Sequence, residues 1–147
     1  MFLSSKFSVF IFVILALIVG GLASSNTADD IWYQELLKSS LNPPGYVFGI
    51  VWPILYLMMS ISAFRTFHET KSLFLTQLLF NALWSWLFFA FQMPLIALLN
   101  IWLLIYLNIR LNLKMFYKDK LSGFLFIPYV LWLFFASYLN LFIVINN

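Results

Sequence analysis

The chain of 147 residues contains no cysteine, which excludes disulfides, thiolate chemistry and cysteine-bound zinc. It has one histidine, His68, too few for a histidine-built metal site. Charge is scarce as well, at 9% of residues against roughly 25% in a soluble domain. So few polar atoms cannot cover a water-facing surface. The net charge of +3 is too thin for a polyanion-binding patch, so no nucleic-acid partner is expected. What is present is 64% hydrophobic and 21% aromatic sequence, the composition of an integral membrane protein.

A hydrocarbon core of about 30 Å needs about 20 mostly apolar helical residues. Five stretches qualify, at 7–23, 46–64, 72–91, 95–113 and 123–145, and they predict an all-α five-helix bundle forming one domain over residues 1–147. No Asp, Glu or Lys falls inside them. Arg110 does, near the end of its stretch, where a long side chain snorkels to the headgroups. The alternating pattern of a membrane β-barrel is missing. The first stretch has a second reading, because Lys6, an apolar run and Gly21-Leu22-Ala23 also describe a cleaved signal peptide.

Basic residues set the orientation. With five spans, Lys6, Arg65, Lys71, Arg110, Lys114, Lys118 and Lys120 share one side and Lys38 stands alone on the other. The expectation is a cytoplasmic amino terminus and an outside carboxyl terminus. Residues 65–71 and 114–122 read as short polar links, and Met93-Pro94 as barely a turn. The loop 24–45 is longer. Thr27 or Asp29 is expected to cap a short helix over 30–39, which Asn42-Pro43-Pro44-Gly45 then stops. Ile31, Trp32, Leu36 and Leu37 give that helix an apolar side, to lie in the interface or fold over the bundle as a lid. No internal repeat points to an inverted-repeat transporter.

The spans hold none of the carboxylates, lysines or histidines that build proton relays and ion-coupled pumps. The loop carboxylates and His68 read as solvated or capping groups. Amides and large aromatics remain. Gln77, Asn81, Trp84 and Phe88 share one helical face, as do Tyr129, Trp132, Ala136 and Asn140, and as do Gly49, Trp52, Tyr56 and Ser60 beside a kinking Pro53. Amides of this kind glue membrane helices together. Trp84, Trp86, Trp102 and Trp132, however, lie near mid-span rather than in an interfacial belt, and a buried indole needs a partner for its N–H. Flat aromatic walls with a few polar groups suit a large, planar, mostly apolar molecule such as a tetrapyrrole or a sterol.

Trp32-Tyr33, then Asn42-Pro-Pro-Gly-Tyr-Val-Phe-Gly-Ile-Val-Trp52, Leu55-Tyr56 and Ser60 resemble the signature of the TspO/MBR family, the tryptophan-rich sensory and translocator proteins. Gln77, Asn81, Trp84 and Phe88-Phe89 resemble its third helix, and Pro128-Tyr129, Trp132, Phe135-Ala136 and Leu139-Asn140 its fifth. The resemblance implies a five-helix bundle, often a homodimer, that keeps its first helix and covers its pocket with the long loop. It implies binding of porphyrins such as protoporphyrin IX, and of isoquinoline carboxamide and benzodiazepine drugs. Tyr33, Trp52, Asn81, Trp84, Trp132 and Ala136 carry over to the pocket by position. With the helical phases, the candidate ligand-binding set becomes Tyr33, Trp52, Gln77, Asn81, Trp84, Phe88, Trp132, Phe135, Ala136 and Asn140.

Departures are also visible. Tyr46 stands where the family often has tryptophan, and Asn100 where many members carry an acid. The stretch Leu141-Phe-Ile-Val-Ile145 lacks the tyrosine and arginine of the animal cholesterol motif; a loose match at Leu104-Ile-Tyr106-Leu-Asn-Ile-Arg110 is only a pattern. Three functions follow as expectations. The first is a receptor or translocator of tetrapyrroles in a bacterial cytoplasmic membrane, with no cofactor required. The second, implied by some bacterial members, is light- and oxygen-dependent degradation of protoporphyrin, with Trp52 and Trp132 as the oxidisable residues. The third is a regulator contacting anionic lipid or a membrane protein through the lysines of 114–122.

Overall fold

The computed structural model describes residues 4–147, and these fold into helices joined by turns. Helix α1 is Ser8–Ser24, α2 is Ile31–Glu35, α3 is Gly45–Arg65, α4 is Phe67–Ser85, α5 is Pro94–Lys118 and α6 is Lys120–Asn146. Four helical segments are long and apolar enough to cross a membrane, at Gly45–Arg65, Phe67–Ala90, Pro94–Lys118 and Lys120–Asn146. The apolar α1, of 17 residues, is shorter. It is nonetheless part of the bundle, with Val9, Val13, Ala16 and Gly20 buried along one side.

The polar links are shorter than the sequence predicts. Thr66 alone separates α3 from α4, and Asp119 alone separates α5 from α6. Residues 67–71 and 114–118 are helical because their polar side chains extend each helix past the apolar stretch without leaving backbone groups unpaired in lipid. Asp119 caps α6 by accepting from the Ser122 amide at 3.2 Å. His68 is exposed on the first turn of α4. The loop helix is also shorter, ending at Glu35 instead of Ser39. Its cap is Asp30, which accepts from the Trp32 amide at 3.1 Å, and not Thr27 or Asp29. Gly45 is the first residue of α3, where the Pro43-Pro44 pair, its φ angles fixed by the rings, leads directly into the helix.

One feature of α4 breaks its period. The helix continues past Ser85 into a π turn, Trp86–Ala90, counted with α4 below, in which the Phe91 amide reaches the Trp86 carbonyl at 2.8 Å. The chain then reverses through Gln92 at φ 55° and enters α5 at Pro94, whose missing N–H costs nothing at a first helical position.

The bundle is arranged for lipid. Large apolar residues such as Ile14, Ile18, Leu57, Leu79 and Leu131 are exposed, while Gln77, Asn81, Asn100, Asn108 and Asn140 are buried. Lipid tails are as apolar as leucine, so close packing and interhelical hydrogen bonds hold such helices together. α5 packs mainly on α6 and α4, α1 on α4, and α3 on α6; α3 and α4 diverge after their shared turn. That divergence leaves room between them.

Candidate functional site

The room is a cavity of about 860 Å³, within the roughly 300–1,000 Å³ usual for small-molecule sites. Residues of α1, the 25–44 segment, α3, α4, α5 and α6 line it. Its wall is aromatic. Trp52 and Trp132 meet edge to face at 6.1 Å, Phe48 meets Trp132 at 5.8 Å, and Trp84 stacks on Phe88 at 5.5 Å. Among the described residues Lys38 is the single charged side chain in the lining.

Polar groups under the aromatic wall form one directed chain. Tyr56 donates its hydroxyl to Asn81 Oδ1, Asn81 Nδ2 donates to the Tyr129 hydroxyl at 2.7 Å, and Tyr129 donates to Gln77 Oε1 at 2.8 Å. Gln77 Nε2 ends the chain on the Met59 sulfur at 3.8 Å. A thioether sulfur only accepts, so the Met59 end sets the direction of every bond above it. The chain joins α3, α4 and α6 at mid-bundle. Nearer the lid, Trp84 Nε1 donates to Asn140 Oδ1 at 3.1 Å, and Asn140 Nδ2 donates to the Pro94 carbonyl at 2.9 Å. The indole N–H of Trp132 is buried and meets no nitrogen or oxygen among the described residues.

The 25–44 segment lies across the cavity. Trp32 contacts Phe88 at 6.0 Å and Tyr33 contacts Phe89 at 5.6 Å. Burial pushes the Tyr33 phenol up, against the opposing hydrogen bond with Asn42. Over α6 the segment is fastened at two points. The Leu37 amide donates to Asn147 Oδ1 at 2.8 Å while Asn147 Nδ2 returns to the Leu37 carbonyl at 3.1 Å, and Ser39 shares a 2.8 Å hydrogen bond with Tyr138. Lys38 sits between these fastenings. Its ammonium donates to the Tyr33 and Leu36 carbonyls and lies 4.4 Å from the Tyr33 ring centroid. Desolvation lowers its pKa, and the two carbonyls and the ring hold the charge in place.

Of the ten candidate residues, Tyr33, Trp52, Asn81, Trp84, Phe88, Trp132, Ala136 and Asn140 line the cavity. Gln77 does not; it is fully buried one helical turn deeper, as the acceptor of Tyr129. Phe135 does not either, and is half-buried against Trp132 and Tyr138. The tryptophans expected at mid-span divide, and Trp86 lies instead in the last turn of its span, Phe67–Ala90. Trp86 donates to the Val19 carbonyl at 3.0 Å and ties α4 to α1, and Trp102 donates to Ser137 at 2.9 Å on the outer side of α5 and α6. Ser60 turns its hydroxyl to the Leu57 carbonyl of its own helix.

Much of the apolar lining lies outside the candidate set, and two of its residues are informative. Phe89 reaches the cavity beside Phe88 because the π turn widens that turn, and no periodicity marks it. Lys38 reads as a topological outlier in the sequence; its isolation on that side was the available signal. Among the described residues no group of three or more His, Asp and Glu is placed to hold a metal.

Comparison with known proteins agrees with this architecture. The sequence model of the TspO/MBR family matches residues 8–145. The chain is 33% identical over 144 residues to a tryptophan-rich protein TspO of Archaeoglobus fulgidus, covering 92% of this chain and 94% of that one. It is 37% identical over 119 residues to a tryptophan-rich protein TspO of Chlorobaculum tepidum, covering 74% and 75%. It is 29% identical over 119 residues to the translocator protein of Homo sapiens, covering 74% and 73%. The helical bundle, the aromatic cavity under the 25–44 segment and a match over nearly the whole length together make this chain a membrane protein of the TspO/MBR family.

Proposed function

We propose that the chain is a receptor for tetrapyrroles, with protoporphyrin IX as the type ligand, held between the helices in the cavity described above. The observation that carries this is the lining: flat indole and phenyl faces from Trp52, Trp84, Phe88 and Trp132, with one cation, Lys38, and no carboxylate. Aromatic faces favour an offset-stacked planar ring. A lone ammonium favours an acid at one edge of it. The names of its relatives, for sensing and translocation, fit a binding site. The distribution of basic residues, seven against one, supports a cytoplasmic amino terminus in a bacterial cytoplasmic membrane, with the lid and Lys38 on the outer side. Isoquinoline carboxamide and benzodiazepine compounds would occupy the same aromatic walls.

The test is a dark titration of the detergent-purified protein with protoporphyrin IX, followed by tryptophan fluorescence and porphyrin absorbance. Saturable binding weakened at least tenfold in Trp52→Ala and in Trp132→Ala supports the reading; affinity unchanged in both variants overturns it. An illuminated arm asks the separate photochemical question. New absorbance products, formed faster than free porphyrin bleaches, would add degradation to binding, with Trp52 and Trp132 the first residues to check for oxidation.

A further inference from the structure

The exposed part of the cavity lining is confined to one side. Lining residues of α4, α5 and α6 are all buried or half-buried. The exposed ones are Gly21 on α1, Gly45, Gly49 and Pro53 on α3, and Ala28, Gln34 and Pro44 in the segment between them. The segment belongs at headgroup level, but Gly49 and Pro53 do not. They lie four and eight residues inside α3, about 6 and 12 Å along its axis at 1.5 Å per residue. The opening therefore extends down into the hydrocarbon.

Packing explains why α1 and α3 part here. At their other ends Phe64 holds both Phe7, at 5.2 Å, and Phe10, at 5.5 Å, with the Lys6 ammonium 4.6 Å above the same ring. Towards the lid no comparable ring pair joins the two helices among the described residues. A Cβ added at Gly21, Gly45 or Gly49 would meet nothing within 4 Å. Pro53 offers no N–H to the Gly49 carbonyl, so the gap also exposes a backbone acceptor at membrane depth. On the opposite side the lid is fastened, by Leu37 with Asn147, Ser39 with Tyr138, and the Trp32 and Tyr33 rings on α4.

We infer that the cavity is filled and emptied sideways from the bilayer, through the gap between α1 and α3 framed by Gly21, Gly49 and Pro53, and not through the lid from water. The cargo class is a membrane-dissolved amphiphile with an apolar ring system and an acidic edge. Such a molecule rests with its acid at headgroup level, the level of Lys38, so it slides in without turning over or shedding apolar surface into water. This rests on the cavity being a ligand site, and the assay below needs no ligand, so failed porphyrin binding and a failed lateral route are told apart.

The chain has no cysteine, so Ala136→Cys places a single thiol in the cavity wall. In lipid nanodiscs this protein is treated with a bilayer-partitioned reagent, pyrenyl maleimide, and separately with a charged, water-soluble methanethiosulfonate. Adding Gly21→Phe and Gly49→Phe should slow the pyrenyl maleimide at least tenfold and leave the charged reagent within about twofold. Gly21→Ala with Gly49→Ala should react at the parental rate. Leu103→Cys, on the exposed lipid-facing side of α5, reports delivery of pyrenyl maleimide in every background. An unchanged pyrenyl maleimide rate overturns the inference, and so does equal slowing of both reagents, which would mean a filled cavity or a water route. If the double phenylalanine variant does not fold, Gly49→Leu alone carries the same comparison.

Discussion

Lys38 is already satisfied within the protein, its ammonium on two carbonyl oxygens and over the Tyr33 ring. A ligand acid therefore replaces existing bonds and gains less than one meeting a bare charge. Hydrogen bonds to charged groups contribute about 1.5–3 kcal/mol, and the partial exposure of Lys38 draws this site to the lower figure. That corresponds to about tenfold in affinity. Wild-type protein should therefore prefer protoporphyrin IX to its dimethyl ester by about tenfold. Lys38→Met should bind both alike, and Lys38→Arg should retain the preference; paired titrations in detergent decide. Helical phase pointed Trp52, Asn81, Trp84 and Trp132 inward because a side chain's direction follows from its register. It pointed Gln77 inward too, yet direction says nothing of depth, and Gln77 lies below the cavity, bonded to Tyr129. Phe135 entered from the family resemblance and not from phase, and it packs behind the wall.

At the level of elements, the apolar spans were legible because lipid demands a minimum run of apolar residues. Their ends were not, because a helix continues past its apolar stretch as long as its backbone stays paired. The π turn was illegible for a different reason: periodicity counts 3.6 residues per turn, and one wider turn leaves no trace in composition. The α5–α6 hairpin shows what such close joints require. A Cβ at Gly123 would lie 2.3 Å from the Phe116 ring, which is itself fixed edge to face on Phe124 at 5.0 Å. The contact falls on the root of the ring, which cannot swing clear without moving the helix. Gly123→Ala should cost about 1–3 kcal/mol by overpacking, despite the better helix propensity of alanine. Gly21→Ala, with open space around it, should cost nothing comparable. Denaturant or thermal unfolding in detergent, run on both variants, makes the comparison.

The molecule as a whole is closed at one end and open at the other. At the closed end the α3–α4 and α5–α6 junctions meet through Arg65 and Asp119 at 2.7 Å, with Lys118 and Glu69 paired beside them at 2.8 Å. Hydrogen bonds from Arg65 and then Ser122 hold the Asp119 carboxyl well below the usual carboxylate range. A group depressed on folding stabilises above its unfolded pKa, about 3.9 for Asp, and that contribution is lost as pH falls towards the folded value. Thermal stability should decline below about pH 4 in wild type. Asp119→Asn should start from a lower melting temperature and show a shallower acid decline, since only the other carboxylates still titrate. An identical acid slope in the two proteins would remove Asp119 from the account. The clustering of basic residues at this end was readable from the sequence. The pairing across the two junctions was not, because it depends on how the hairpins pack.

The opening beside Gly49 and Pro53 changes what concentration means for this protein. A site that faces the hydrocarbon meets its ligand as a fraction of the surrounding lipid, not as moles per litre of buffer. Halving the lipid in an assay at fixed total ligand would then double the local supply and make the protein look tighter-binding, with no contact altered. Affinities measured in micelles, nanodiscs and native membranes would agree only after each is expressed per lipid.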